Sequence, residues 1–591
     1  MFLKYLPVAL LFLGLALYAA SFEPFGAAEC AYVFSAFLMW AAASWKFSEK
    51  SWRIFSLFGA WAAWLVLLAW LRFVYPPTGY FFAAALSLIL ALFFWIWLLA
   101  LKIFLPSAEE GFVKRLSKIL FLACLWVGIE WVRSFVFTGF PWLLLAHSQW
   151  LRPAIIQPAS IGGPYMVSFV LIFFGLGLGA YCMRLVSWHR AKIEGRARGR
   201  FGRLAPEFYI GAAFVMASLF MYIANLPKRE NAQKLFRVGM VQTDFAGILN
   251  WDEALVNDNL RVLKNLTLSL KKAGVNLVAW SESATPPMWP VIGVPEMQSW
   301  CEETAADLDA PIIMGNGAYF NHNGNVTTYN AAFYVSEKNG LNKNFYAKQK
   351  LVPFGEYLPA WCFFLKEAVV PVGGMTAGCK SVIFYCDIKN SVRKIAPIIC
   401  YEDIFPQLGR SAVLEGAEIF YVCTNDSWYG REGGAWQHAA HSAFMAASFR
   451  KPLIRASVNG LSGVFDQYGR LVPCFAIRDQ EGGVYRGEGD SARPFEIVDA
   501  AGQPISEKNM KVVRGGPLSN DEGSIYFRGA GYADLVSYKN FGAGETFYAK
   551  YGDWLPKLCL AYLIFFMIFY KNCLTKTGVF GKFLALISAR A

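Results

Sequence analysis

The stretch Lys394-Ile395-Ala396-Pro397-Ile398-Ile399-Cys400-Tyr401-Glu402-Asp403 joins a short isoleucine-rich run to a cysteine and then to acidic residues. Residues 395–399 have the length and composition of a buried strand. Cys400 then falls where the strand turns. The thiolate is the reactive form of a cysteine, so a nucleophile here needs a base close by. Free cysteine is also among the most buried residue types, and on these ten residues alone a small core side chain is the commoner outcome.

Two upstream stretches shift that balance. In Trp280-Ser281-Glu282-Ser283-Ala284-Thr285-Pro286-Pro287 a carboxylate follows an apolar strand over 275–280. Tryptophan and prolines beside a carboxylate can raise its pKa, as a general base requires. A helix cap or turn residue is an equally common reading. In Phe345-Tyr346-Ala347-Lys348-Gln349-Lys350-Leu351-Val352-Pro353-Phe354-Gly355-Glu356-Tyr357-Leu358-Pro359 a lysine precedes a stiff apolar turn, and Glu356 follows it. A fixed ammonium can stabilise the oxyanion of a tetrahedral intermediate. Glu356 can hold that ammonium in place. Most lysines, by contrast, are merely solvated.

The surroundings are those of a membrane protein. The chain has 591 residues, 56% hydrophobic and 17% aromatic, with a mean hydropathy of +0.36. That is too apolar for an ordinary soluble enzyme. The net charge of +13 does not indicate nucleic acid, because much of the excess sits in short loops between apolar segments, where it sets topology. The 12 cysteines show no metal-ligand spacing, and several (Cys30, Cys124, Cys182, Cys559) lie in apolar segments. Neither a metal nor a disulfide framework is expected.

Apolar segments over 5–20, 29–45, 54–72, 80–101, 116–134, 164–183, 206–225 and 555–570 are near the length that crosses a bilayer. The first also resembles a signal peptide, with a weak cleavage site at Tyr18-Ala19-Ala20-Ser21. An uncleaved helix preserves the charge alternation that follows. Lys46, Lys50 and Arg53, then Lys102, Lys114, Arg115 and Lys118, then the basic run 184–203, and finally Lys571, Lys576, Lys582 and Arg590 fall in alternate loops and the tail. By the positive-inside rule these loops and both termini are cytoplasmic, and the domain between the seventh and eighth helices is outside. The expected boundaries are 1–228 for seven membrane helices, 229–550 for the outer domain, and 551–591 for the eighth helix and tail.

The outer domain alternates strands and helices. Strands are expected over 236–242, 275–280, 311–314, 395–399 and 417–423, and helices over 251–273, 295–306 and 404–415. This is the pattern of helices packed on sheets. Residues about 485–540 lose it and read as a long surface insertion.

Taken together, the three stretches resemble the nitrilase (carbon–nitrogen hydrolase) superfamily, whose Glu-Lys-Cys triad occurs in this order on an αββα sandwich. The resemblance narrows to the apolipoprotein N-acyltransferase family, its membrane-bound branch. It is carried by LVPFGEYLP at 351–359, ICYED at 399–403, TNDSWYG at 424–430 and RASVNG at 455–460. In the membrane part it is carried by Glu130-Trp131-Val132-Arg133 with Phe137-Thr138-Gly139-Phe140-Pro141-Trp142. The fold implied is an α+β membrane protein, an eight-helix transmembrane bundle plus an extramembrane αββα nitrilase-like sandwich.

The resemblance implies Glu282 as base, Lys348 as oxyanion stabiliser and Cys400 as nucleophile. Glu356, Tyr401 and Glu402 match supporting residues, and Trp251 matches a tryptophan on a mobile arm. Three departures stand out. Trp280-Ser281-Glu282-Ser283 replaces the usual Trp-Pro-Glu-Thr/Ser, Ser448 stands where an acidic residue is expected, and the insertion is longer than usual. The implied reaction is a two-step acyl transfer through a Cys400 thioester, with the Tyr401 backbone N–H helping Lys348 at the oxyanion. A phospholipid is the acyl donor and the N-terminal S-diacylglyceryl-cysteine of an apolipoprotein the acceptor. No cofactor and no nucleic acid are implied, and a monomer in the bacterial inner membrane, with its catalytic domain in the periplasm, is expected.

Two rivals remain. One is a membrane-bound nitrilase-type amidase acting on a soluble amide, for which membrane helices would be superfluous. The other is a transporter or receptor whose outer domain only binds ligand, with Glu130 and Arg133 marking a pathway. The Glu-Lys-Cys set favours an enzyme.

Overall fold

The computed structural model describes residues 2–74, 78–195, 204–225, 233–244, 253–286, 289–323, 325–360, 362, 374–478, 511–514, 516–520, 523–538 and 545–574. Trp251 and residues 485–510 lie outside them.

The first part is helical: α1 (Phe2–Ala20), α2 (Phe34–Ser44), α3 (Glu49–Leu67), α4 (Thr78–Ile103), α5 (Phe112–Arg133), the single turn α6 (Pro153–Ile156), α7 (Ala159–Ile193) and α8 (Pro206–Ala224). By length and composition α4, α7 and α8 are each sufficient to cross a membrane. The expected span over 29–45 is not one helix. A 3₁₀ turn, Ala28–Tyr32, precedes the 11 residues of α2, which rise only about 17 Å. Glu29 lies in that turn and pairs with Arg152 at 2.8 Å, which ties the stretch to a polar edge. α5 is interrupted by charge, and its charges are partnered: Arg115 meets Glu207 of α8 at 2.6 Å with both side chains buried. α7 bends at Gly162 and Gly163. A Cβ on Gly163 would sit 2.5 Å from the Tyr548 ring, so glycine is required where this later tyrosine crosses the helix.

The second part is a two-sheet sandwich. β1 (Gln233–Gln242), β2 (Leu277–Ala279), β3 (Ile312–His322), β4 (Asn325–Ser336), β5 (Gly340–Leu341) and β6 (Tyr346–Ala347) build one side of the first sheet. β7 (Phe384–Ile388), β8 (Ser391–Ile399), β9 (Ile419–Thr424), β10 (Leu453–Ser457), β11 (Gly463–Phe465) and β12 (Leu471–Val472) form the second, in the order β12-β11-β10-β9-β8-β7. The chain then returns to the first sheet with β13 (Phe475–Arg478), β14 (Lys511–Arg514) and β15 (Gly529–Ser537).

That return corrects the later part of the expected surface insertion over about 485–540, where β14 and β15 pair into the sheet. β15 pairs antiparallel with the whole of β1, with Gln233 opposite Ser537 and Gln242 opposite Gly529. Its period of two, buried at Gly531, Ala533, Leu535 and Ser537, is masked in sequence by glycine, serine and aspartate. The segment's end is sheet interior, not surface loop.

Alternate side chains of β1 (Phe236, Val238, Met240) face Ile395, Ile399, Tyr421 and Cys423 between the sheets. On the outer face of the first sheet, Val278 and Ile312 pack with Val256, Leu260 and Leu263 of α9 (Glu253–Ser269) and with Met297 and Cys301 of α10 (Pro295–Leu308). The second sheet turns Ala396, Ile398, Phe420 and Val422 toward α11 (Pro406–Leu414) and α12 (Gly434–Phe449). Strands covered on both faces read as unbroken apolar runs, which is why 395–399 and 419–423 carry no alternation. Each such large side chain contributes about 1.5–3 kcal/mol on burial. One hydrophobic cluster runs from this layer through Met445 and Phe449 into the membrane helices, so the bundle covers one face of the sandwich. α13 (Phe547–Tyr551) and α14 (Trp554–Leu574) are the last elements among the described residues, with α14 against α5.

Candidate active site

β8, β9 and β10 run parallel, with Ile399 beside Cys423 and Thr424 beside Ser457. Their carboxyl ends therefore emerge together, where open α/β sheets place ligand sites. Across the sandwich, β2 ends just before Glu282, and β6 delivers Lys348 after pairing with β4. The three side chains named from the sequence meet between these ends.

Lys348 is 1% exposed and sits between two carboxylates: its Nζ is 2.8 Å from Glu356 Oε1 and 3.2 Å from Glu282 Oε1. Burial works against its charge, but the two carboxylates outweigh burial and hold the ammonium well above the ordinary lysine value. Asn330 of β4 also donates to both carboxylates, at 2.8 Å to Glu282 and 2.7 Å to Glu356. Glu282 Oε2 accepts from the Asn425 backbone N–H at 3.0 Å, and Glu356 Oε2 from Val352 N–H at 2.8 Å. The loop expected to position the lysine thus wraps around it.

Cys400 has a backbone φ of +51°. Left-handed geometry at a non-glycine costs about 1–3 kcal/mol and persists only where neighbours over-determine it. Ser283, directly after Glu282, and Phe354, between Lys348 and Glu356, share that geometry at +48° and +65°. Burial pushes the Cys400 thiol up, the Glu282 charge adds to that, and Lys348 and Thr424 pull it back only in part. The resting sulfur is a protonated thiol beside a carboxylate.

Glu402 is a clasp. It is fully buried and accepts from Ile399 N–H at 2.8 Å, Gln349 N–H at 2.5 Å, Lys350 N–H at 3.1 Å and the Tyr346 hydroxyl at 2.8 Å. It therefore fastens the lysine loop to the cysteine turn. Burial pushes its carboxyl up to about 7, opposed by those backbone donors. Tyr401 points the other way, and its hydroxyl donates to Gly139 O at 2.8 Å. The Lys350 ammonium lies 5.6 Å from the Phe405 ring centroid, outside the carboxylate pair. Ser448 is buried in α12, where its carbonyl accepts from Thr546.

A second buried network was not anticipated. His438 of α12 places Nε2 3.2 Å from the Cys400 carbonyl and Nδ1 2.9 Å from Asp426 Oδ1. Arg455, wholly buried, joins Asp426 to Asp403, each at 3.0 Å. Asp426 and Arg455 belong to the quoted TNDSWYG and RASVNG motifs, which were the available signal. Nothing in the local sequence singles out His438 or Asn330. Among the described residues no three His, Cys, Asp or Glu side chains converge as metal ligands.

A protonated thiol, a carboxylate and a fixed ammonium can together supply a nucleophile, its base and a charge for a developing oxyanion. Comparison with known proteins points the same way. The profile of the apolipoprotein N-acyltransferase N-terminal domain matches residues 14–177, and that of the carbon-nitrogen hydrolases matches 237–489. An apolipoprotein N-acyltransferase from Geobacter metallireducens is 27% identical over 65% of this chain and 71% of its own length. One from Rickettsia bellii is 30% identical over 61% of this chain and 68% of its own. One from Pseudomonas paraeruginosa is 28% identical over 74% and 80%.

Proposed function

The chain belongs to the apolipoprotein N-acyltransferase family, and from that premise we propose how it moves a phospholipid acyl chain onto the N-terminal S-diacylglyceryl-cysteine of a lipoprotein. Glu282 takes the Cys400 proton, and the thiolate attacks the ester carbonyl carbon of the phospholipid. Lys348 and the Tyr401 backbone N–H hold the oxyanion. The intermediate collapses, lysophospholipid leaves with the proton held by Glu282, and a thioester remains. The lipoprotein α-amine then attacks the thioester, Glu282 accepts the amine proton, and Cys400 leaves and is reprotonated. Glu356 and Asn330 hold Lys348 and Glu282 in register throughout. Glu402 clamps the two loops, and the family match assigns Trp251 a supporting role.

The observation that carries this reading is the bond from Tyr401 to Gly139. The residue next to the nucleophile is fastened to the membrane part, as an enzyme acting on lipid-anchored substrates requires and an amidase for soluble amides does not. The chain works as a monomer in the bacterial inner membrane, with 1–228 and 551–591 supplying the membrane part and 229–550 forming the periplasmic catalytic domain. No nucleic acid takes part.

The test is transfer of a labelled acyl group from phospholipid to a diacylglyceryl-cysteine lipopeptide by the purified full chain. Amide-linked label is expected on the lipopeptide. Release of the label only as free fatty acid contradicts the reading and favours a hydrolase. Impermeant thiol labelling of cysteines placed at Lys192 and Lys582 tests orientation, and labelling of either from outside contradicts it.

A further inference from the structure

Gln437 lies on α12, 1% exposed, and every hydrogen-bonding position of its amide is taken. Oε1 accepts from the indole N–H of Trp70 at 3.0 Å and of Trp142 at 2.9 Å. Nε2 donates to the Glu23 carbonyl at 2.7 Å and the Leu67 carbonyl at 3.0 Å. All four partners belong to the membrane part. Glu23 follows α1, Leu67 ends α3, Trp70 lies just beyond, and Trp142 lies in the loop after α5. An amide presents two acceptor sites and two N–H donors, and here it meets two donors and two acceptors. Neither a carboxylate nor an aliphatic side chain satisfies that set.

The next residue is His438, which holds the Cys400 carbonyl at 3.2 Å. Its ring stacks on Trp142 with centroids 5.4 Å apart and planes at 28°. Trp142 is therefore bonded to Gln437 and stacked on His438 at once. A single helical step separates the anchor in the membrane part from the group that holds the strained nucleophile turn.

We propose that Gln437 is a positioning residue that makes the aim of the Cys400 thiol depend on how the catalytic domain is seated on the ends of α1, α3 and α5. The inference rests on Cys400 as nucleophile. Replacing Gln437 by leucine strips two indole N–H groups and two carbonyls of their partner in a largely buried site, and each such loss is costly. α12 then relaxes, His438 moves, and the left-handed turn loses one of its restraints. A displacement of the order of 1 Å at a reacting group can cost about 10²-fold in rate.

The experiment uses the full chain in detergent, with single-turnover acylation by a fluorescent phospholipid over a range of lipid concentrations. For Gln437→Leu the rate at saturation should fall about 10–100-fold while the half-saturating lipid concentration stays put. Alkylation of Cys400 by iodoacetamide should slow in parallel. Gln437→Glu, which keeps both acceptors and loses the donors, should fall between. Gln149→Leu is the matched control. It removes another buried amide, whose hydrogen bonds go to Ala28 O at 2.8 Å and Ser148 Oγ at 2.9 Å rather than to Trp70, Trp142 or α12, and should react like wild type. The inference is overturned if Gln437→Leu and Gln437→Glu acylate at the wild-type rate, if Gln149→Leu slows equally, or if the loss lies wholly in lipid saturation. A wild-type chain that forms no acyl-Cys400 removes the nucleophile itself, and the inference with it.

Discussion

Two buried cations flank Cys400, each held between two carboxylates, yet they are equipped for different work. Lys348 lies between Glu282 and Glu356 and acts electrostatically on the thiol itself. Arg455 lies between Asp403 and Asp426 and is linked to the Cys400 carbonyl through His438. The guanidinium is fully committed: Nε donates to Leu461 O, Nη1 to Asp403 and Ser442, and Nη2 to Asp426. A planar fork with every donor spent is a fixture. An ammonium is a compact charge with rotatable donors, able to turn toward a charge that appears during reaction. In the proposed mechanism the same composition thus serves chemistry on one side of the cysteine and architecture on the other.

The contrast can be broken or sharpened by substitution. Glu282→Gln removes the proposed proton carrier and should slow both acylation and transfer about 10²–10⁴-fold. A variant slowed in only one half-reaction would deny it a role in the other. Lys348→Met should slow acylation about 10²–10³-fold without changing the half-saturating phospholipid concentration, because lipid binding comes mainly from acyl chains on apolar surface. Arg455→Met should act on stability instead. Leaving Asp403 and Asp426 buried without their partner should cost about 3–5 kcal/mol, read by thermal unfolding in detergent, and Arg455→Lys should restore only part of it. An Arg455→Met protein that melts like wild type but has lost acylation would move Arg455 into the chemistry. The smallest effect belongs to Lys350→Met, which should acylate near the wild-type rate. If Lys350→Met is inactive and Lys348→Met is not, the two lysines exchange roles.

The same two clusters show what a sequence makes legible. Glu282, Lys348 and Cys400 each sit at the edge of a short apolar run with turn residues beyond, so strand ends and chemistry coincide in the letters. Glu356 and Glu402 were legible from the same motifs. The Arg455 cluster was not, because its members come from β10, α12 and two loops, and only folding brings them together. The left-handed residues Ser283, Phe354 and Cys400 were hidden for another reason: none is glycine, and their geometry is imposed by neighbours. The sandwich was readable where strands are covered on both faces. β15 was not, since its small and polar residues conceal a period of two that only pairing with β1 reveals. The segment over 29–45 read as one span by hydropathy alone, and the 3₁₀ turn at Glu29 is a local effect of charge and turn geometry.

The central claim is that Cys400 carries the acyl group, and mass spectrometry after incubation with phospholipid tests it most directly. The account predicts an acyl thioester on the peptide containing Cys400, absent from Cys400→Ala and retained in Cys423→Ala and Cys386→Ala. A thioester that survives in Cys400→Ala, or that disappears in Cys423→Ala, would contradict it.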